Sequence, residues 1–171
     1  MSVDDLDARL LELLAASPRL GVLEASRRLG VARGTVQARL DRLQRDGVIT
    51  GFGPDLDPAA LGYAVTAFVT LEIVQGKGHD AAARHLASIP EVLEAHTTSG
   101  AGDLMCRVVA RSNADLQRVI DRVVADPSVT RSTTVIALDT QIGYRVLPLV
   151  RAAAQSITAQ SITAQPRAAQ S

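Results

Sequence analysis

The spacing of apolar positions changes part-way along this chain. Between Asp4 and Asp46 apolar residues recur every three or four positions, and from Tyr63 to Val74 they alternate. The first spacing belongs to helices with one buried face, the second to a strand with one buried face. Leu6, Leu10, Leu13 and Leu14 predict a first helix, capped by Asp4 or Asp5 and ended near Ser17-Pro18. Val22, Leu23, Ala25, Ser26 and Leu29 predict a second, with Glu24, Arg27 and Arg28 on its wet face. Gly30 closes it, because glycine takes the left-handed conformation that ends a helix. The short Gly30-Val31-Ala32 link leaves room only for a sharp turn, and Val36, Leu40 and Leu43 form the inward stripe of a third helix. Gly21 and Ala32 stand where a capping Ser or Asp would normally begin the second and third helices.

Asp46-Gly47 breaks this pattern. Residues 48–53 are β-prone and glycine-rich, predicting a short strand or wing, and residues 53–58 read as a linker with Leu61-Gly62 as its hinge. The alternation then puts Tyr63, Val65, Ala67, Val69, Leu71 and Ile73 on one face of a strand and Thr66, Phe68, Thr70 and Glu72 on the other. After a turn at residues 76–78 comes a helix carrying Ala82, Ala83, Leu86 and Ile89, closed by Pro90. Strands over residues 92–99 and 104–110 are joined by the hairpin loop Gly100-Ala101-Gly102-Asp103. A helix follows from Ser112-Asn113 with the stripe Leu116, Val119, Ile120, Val123 and Val124, stopped by Asp126-Pro127, and residues 129–138 make a last strand. The order βαββαβ is a ferredoxin-like, split βαβ sandwich with both helices on one face of an antiparallel sheet. Its other face is too apolar for water, which predicts a second copy against it.

The fold class is therefore α+β: a winged-type helix-turn-helix domain (residues 1–50), a linker (51–62), the βαββαβ domain (63–150) and a tail (151–171). Residues 144–150 form one more apolar segment, expected to pack back onto the domain or onto a partner subunit. Beyond Ala152 the repeat Gln-Ser-Ile-Thr-Ala reads as low complexity, with no function assigned.

Charge adds where a partner would bind. The whole chain of 171 residues is formally neutral, yet Arg19 to Asp46 holds arginines 19, 27, 28, 33, 39, 42 and 45 against Glu24, Asp41 and Asp46. A basic patch inside a neutral protein marks the place a polyanion docks. In a helix-turn-helix the second helix enters the major groove of double-stranded DNA, and the N-terminal residues Arg33, Gly34, Thr35, Gln37 and Ala38 lie nearest base edges. Arg pairs with guanine and Gln with adenine, whereas Arg27, Arg28, Arg39 and Arg42 are placed for phosphates. The competing account is a plain helical domain whose arginine faces are merely solvated. The first helix, with Asp4, Asp5, Asp7 and Glu12, is expected to sit away from the DNA.

Other chemistries find little support. No stretch approaches the roughly 20 apolar residues that span a bilayer, so the cytoplasm is the default compartment and no membrane partner is expected. The single Cys106 excludes an internal disulfide and reads as a small buried hydrophobe. His79, His85 and His96 share no metal-ligand spacing, and no nucleophilic triad or phosphate loop appears, so neither catalysis, metal nor cofactor is expected. Few aromatics argue against single-strand binding by stacking.

Residues 4–148 resemble the Lrp/AsnC (feast/famine) transcription regulators. The resemblance is carried by Leu6-Asp7, the run from Arg39 to Ile49, Leu56-Asp57-Pro58 with Leu61-Gly62, and Gly100-Ala101-Gly102-Asp103. It implies that the C-terminal unit is the family's ACT-like (RAM) amino-acid-sensing domain. It also implies a homodimer that assembles further, for example to an octamer, and binds operator DNA through paired N-terminal domains. In similar proteins the effector sits between neighbouring dimers against the loop that here is residues 100–103. The residues suit that role: backbone amides at Gly100, Ala101 and Gly102 can approach a carboxylate, and Asp103 can neutralise an ammonium. Thr98 and Thr134, expected on adjacent strands, add hydroxyls. The family more often carries larger residues where this chain has Ala101 and Gly102. Two functions fit the whole: a sequence-specific regulator tuned by a small effector, or an architectural protein that wraps DNA without one.

Overall fold

The computed structural model describes residues 3–74 and 78–163; most of the expected turn at 76–78 and the end of the tail fall outside them. The chain divides into two compact units. It leaves the first at Pro54, builds the second from Asp55 to Ile142, and returns to the first at Gly143.

The first unit contains α1 (Asp5–Ala16), α2 (Val22–Leu29), α3 (Arg33–Arg45) and α6 (Leu147–Thr163). Asp4 caps α1 in a reciprocal box with Asp7, each carboxylate accepting the other residue's backbone N–H at 2.9 and 3.0 Å. Gly30 ends α2 at φ 69°, and neither Gly21 nor Ala32 offers a side-chain cap. Leu10, Ala25, Leu29, Val36 and Leu43 form the core, flanked by Leu6, Leu13 and Leu14. Leu23, expected on the inner face of α2, is exposed. At i+1 from Val22 it lies too far around so short a helix to share the stripe of Ala25 and Leu29.

Two expectations fail at the ends of this unit. Residues 48–53 form no strand, and Phe52 is exposed; β propensity without a pairing partner leaves backbone groups to water. The supposed tail is helical through Thr163, and residues from Gly143 belong to the helical unit rather than to the sheet. Pro148 is tolerated in the first turn of α6 and the alanines after it favour helix. Ala154 is buried, and Arg151 donates to Glu12 of α1 at 2.6 Å.

The second unit is a four-stranded antiparallel sheet, order β2-β3-β1-β4, formed by β1 (Val65–Ile73), β2 (Val92–Thr97), β3 (Leu104–Ala110) and β4 (Val129–Ala137). The helices α4 (Gly78–Ala87) and α5 (Asn113–Val123) cover one face. Ala67, Val69, Leu71 and Ile73 of β1 pack there with Cys106 and Val108 of β3, Leu86 of α4 and Leu116, Val119 and Val123 of α5. Ala83 is exposed, because α4 turns only Ala82 and Leu86 inward. Ser112 caps α5 by accepting the Asp115 N–H. The uncovered face presents Phe68, Met105 and Val135, all exposed, with Phe68 opposite Arg107 and Val135.

Candidate nucleic-acid interface and effector loop

Burying Val36 and Leu43 fixes the rotation of α3, and Arg33, Gly34, Thr35, Gln37, Ala38 and Asp41 all end on its exposed side. Gln37 donates to Asp41 one turn on at 2.8 Å, an exposed bond that a base edge can replace. Arg33 has no ion pair among the described residues. On α2, Arg28 pairs with Glu24 at 3.0 Å and Arg27 lies 3.8 Å from it, both exposed and cheap to rearrange.

Arg39 and Arg42 sit differently. Arg39 donates through Nη1 to Asp4 at 2.5 and 2.6 Å and to Asp7 at 2.8 Å, and Arg42 donates through Nη2 to the other oxygen of Asp7. The Asp7 side chain is fully buried, while those of Arg39 and Arg42 keep 25% and 37% of their surface in solvent. Partial burial opposes ionisation of Asp4, but the Arg39 guanidinium and the Asp7 backbone N–H outweigh it and hold the carboxyl below its ordinary value. Asp4, above all, holds Arg39 still more firmly protonated. The acidic start of α1 thus lies against α3. Sequence reasoning gave Asp4 and Asp7 no part in the site, although their capping-box spacing and the i, i+3 spacing of the two arginines were legible.

The loop at residues 98–103 closes the β2–β3 hairpin. Thr98 donates its hydroxyl to the Gly102 carbonyl at 2.9 Å, and its N–H to the Asp103 carbonyl at 3.0 Å. Asp103 is tied to β1: its N–H donates to the Leu71 carbonyl at 2.8 Å, and its Oδ2 accepts the Ile73 N–H at 2.7 Å. One carboxylate oxygen is therefore already spent on the fold. Gly100 has φ 135°, and a Cβ on Gly102 would stand 2.3 Å from Thr70 Cγ2 and 3.2 Å from the Leu71 carbonyl oxygen. That close approach accounts for a glycine at 102. Ala101 is exposed.

Thr134 is not on a strand adjacent to Thr98. It lies on β4 opposite Val69, whereas Thr98 follows β2 at the far edge of the sheet. Three strand spacings, about 14 Å, separate those edges.

The helix-turn-helix and the hairpin loop are both matched by known proteins. A winged helix-turn-helix DNA-binding family model matches residues 3–50, and the Lrp/AsnC ligand binding domain matches residues 66–147. The regulatory protein AsnC of Escherichia coli is 31% identical over 147 residues, 85% of this chain and 97% of that protein. The chain belongs to the Lrp/AsnC family. The solved structure of E. coli AsnC superposes with a TM-score of 0.80 at 30% identity, covering 86% of this chain and all of that one. A feast or famine regulatory protein from M. tuberculosis, solved in complex with L-methionine, has a TM-score of 0.74 at 29% identity over 85% of this chain and 98% of its own. These Lrp/AsnC relatives are transcriptional regulators, a non-enzymatic family. The ligand-domain match stops at residue 147, where α6 begins.

Proposed function

We propose that this chain is a sequence-specific DNA-binding transcriptional regulator whose grip on DNA is set by an amino acid bound at interfaces of its C-terminal unit. The observation that carries the DNA reading is the exposed face of α3, where Arg33, Thr35 and Gln37 stand clear of the core. Arg27 and Arg28, held only by exposed pairs, are available to phosphates.

The effector reading rests on the loop. Gly100 brings bare backbone to the surface, Gly102 lets the loop close onto Thr70 and Leu71 beside it, and Asp103 retains one oxygen for an ammonium. Thr134 belongs to the opposite edge, so a pocket using both Thr98 and Thr134 takes them from different copies. A ligand at such a joint shifts the balance among assembly states and hence the spacing of paired helix-turn-helix units. The apolar open face of the sheet, with Phe68, Met105 and Val135, supports a homodimer as the smallest assembly, acting in the cytoplasm with its DNA.

A thermal-shift screen of the twenty amino acids tests this, run on the natural chain and on Asp103→Asn, which keeps an acceptor for the Ile73 N–H. Stabilisation by one or a few amino acids that Asp103→Asn abolishes is the expected result. No shift with any amino acid, together with equal affinity for an operator and its scrambled copy, would favour the architectural reading.

A further inference from the structure

Buried ion pairs are a poor way to fasten two helices. Apolar residues of similar volume usually do as well or better, because stripping water from a carboxylate and a guanidinium costs about as much as their attraction returns. Asp7 is nevertheless fully buried, and it engages two arginines that both still reach solvent. A guanidinium has five N–H donors. The described bonds of Arg39 use Nη1 alone, and those of Arg42 use Nη2 alone. Nε and the second Nη of each remain. With Gly34, Thr35 and Ala38, these arginines line an open concavity along α3. Gly34 and Ala38 place no long side chain there, and Thr35 supplies a hydroxyl. Two guanidiniums and a hydroxyl around a shallow, small-residue floor fit a tetrahedral oxyanion carried on a backbone.

We propose that this concavity seats one phosphate of the DNA backbone, and that Asp7 is the positioning residue that holds Arg39 and Arg42 toward it. The proposal deepens the DNA-binding reading and rests on it. The two carboxylates of the cluster then have opposite roles. Asp7 is the sealed anchor behind the arginines. Asp4, whose side chain is 45% exposed, competes with the incoming phosphate for Arg39.

The test is a salt series of binding to a mixed-sequence DNA duplex, which reads phosphate contacts without needing an operator. Thermal melts of each variant run alongside. The double variant Arg39→Gln/Arg42→Gln is expected to lower the slope of log affinity against log salt by about 0.9, the value for one phosphate contact rather than two. Asp7→Asn is expected to do the same and to weaken binding about tenfold, uniformly across sequences. Asp4→Asn, which keeps a good helix cap, is expected to bind at least as tightly as the natural chain. An unchanged slope in the double variant overturns the proposal, whether or not Asp7→Asn folds. Tighter binding by Asp7→Asn, or a loss with Asp4→Asn equal to that with Asp7→Asn, overturns the assigned roles. Failure of the natural chain to bind any duplex removes the DNA reading itself, a different result.

Discussion

The helical unit sets a buried carboxylate against α3, whereas the sheet unit closes its core on apolar side chains. Among the described residues the buried polar side chains are Asp7 and Ser26, both in the helical unit. The helical unit is small, and the buried stripe of Val36 and Leu43 sets which face of α3 turns inward. A directional network of Asp4, Asp7, Arg39 and Arg42 reinforces that rotation where α3 must present a set face. The sheet needs no such device, because ladder register and side-chain alternation already decide which residues point inward. Charge reinforces orientation in one unit, and backbone pairing supplies it in the other.

Urea denaturation of variants can break or sharpen this contrast. The largest effect is expected from Val69→Asp, which places an unpaired carboxylate in an all-apolar core and should cost at least about 4 kcal/mol. A mild effect would mean that the sheet core reaches water. Asp7→Ala strands two guanidiniums that still touch solvent, so about 3 kcal/mol is expected, below the full penalty for a sealed pair. Gly102→Ala should cost about 1–2 kcal/mol through overpacking against Thr70 and the Leu71 carbonyl, and Thr70→Ala in the same chain should restore part of it. If Thr70→Ala restored nothing, the clash would not be the cause.

Smaller effects follow at the surface. Asp4 has a folded-state pKa below its ordinary 3.8, so its stabilising contribution is complete above that value and fades as pH falls through the lower, folded one. Asp4→Asn should therefore lower stability slightly at pH 7, by less than about 1 kcal/mol for so exposed a pair, and the deficit should shrink in acid. A deficit that grew on acidification would contradict the sign. Least of all, Arg151→Ala should cost about 0.5 kcal/mol, because Arg151 is itself mostly exposed where it pairs with Glu12.

Much of the architecture was readable from residue order. The periods placed α1, α2, α3, all four strands and both sheet-packed helices, since amphipathic spacing records directly which side of an element is buried. Expectations failed where an outcome depended on a partner distant in sequence. The β-prone run at 48–53 found no strand to pair with. The residues called a tail found α1 to pack on. Thr98 and Thr134 were separated by the strand order, which local pattern does not encode. Of the candidate sites, the exposed face of α3 follows from the stripe of Val36, Leu40 and Leu43. The anchoring of Asp103 to Ile73 does not follow from any local pattern, because the two are thirty residues apart.

By itself the sequence determined which faces are wet and which are dry, because helix and strand periodicity are short-range properties of a chain in water. It also marked Arg19 to Asp46 as the basic stretch, since charge is fixed by composition. Only the tertiary structure decided which charges are free. Arg33 and Arg39 look alike in the sequence, yet Arg33 ends on an exposed face and Arg39 ends against Asp4 and Asp7, contributed by a helix more than thirty residues earlier. Whether an arginine is held for a ligand or spent on the fold depends on what long-range packing brings within about 3 Å of it, and spacing along the chain does not contain that distance.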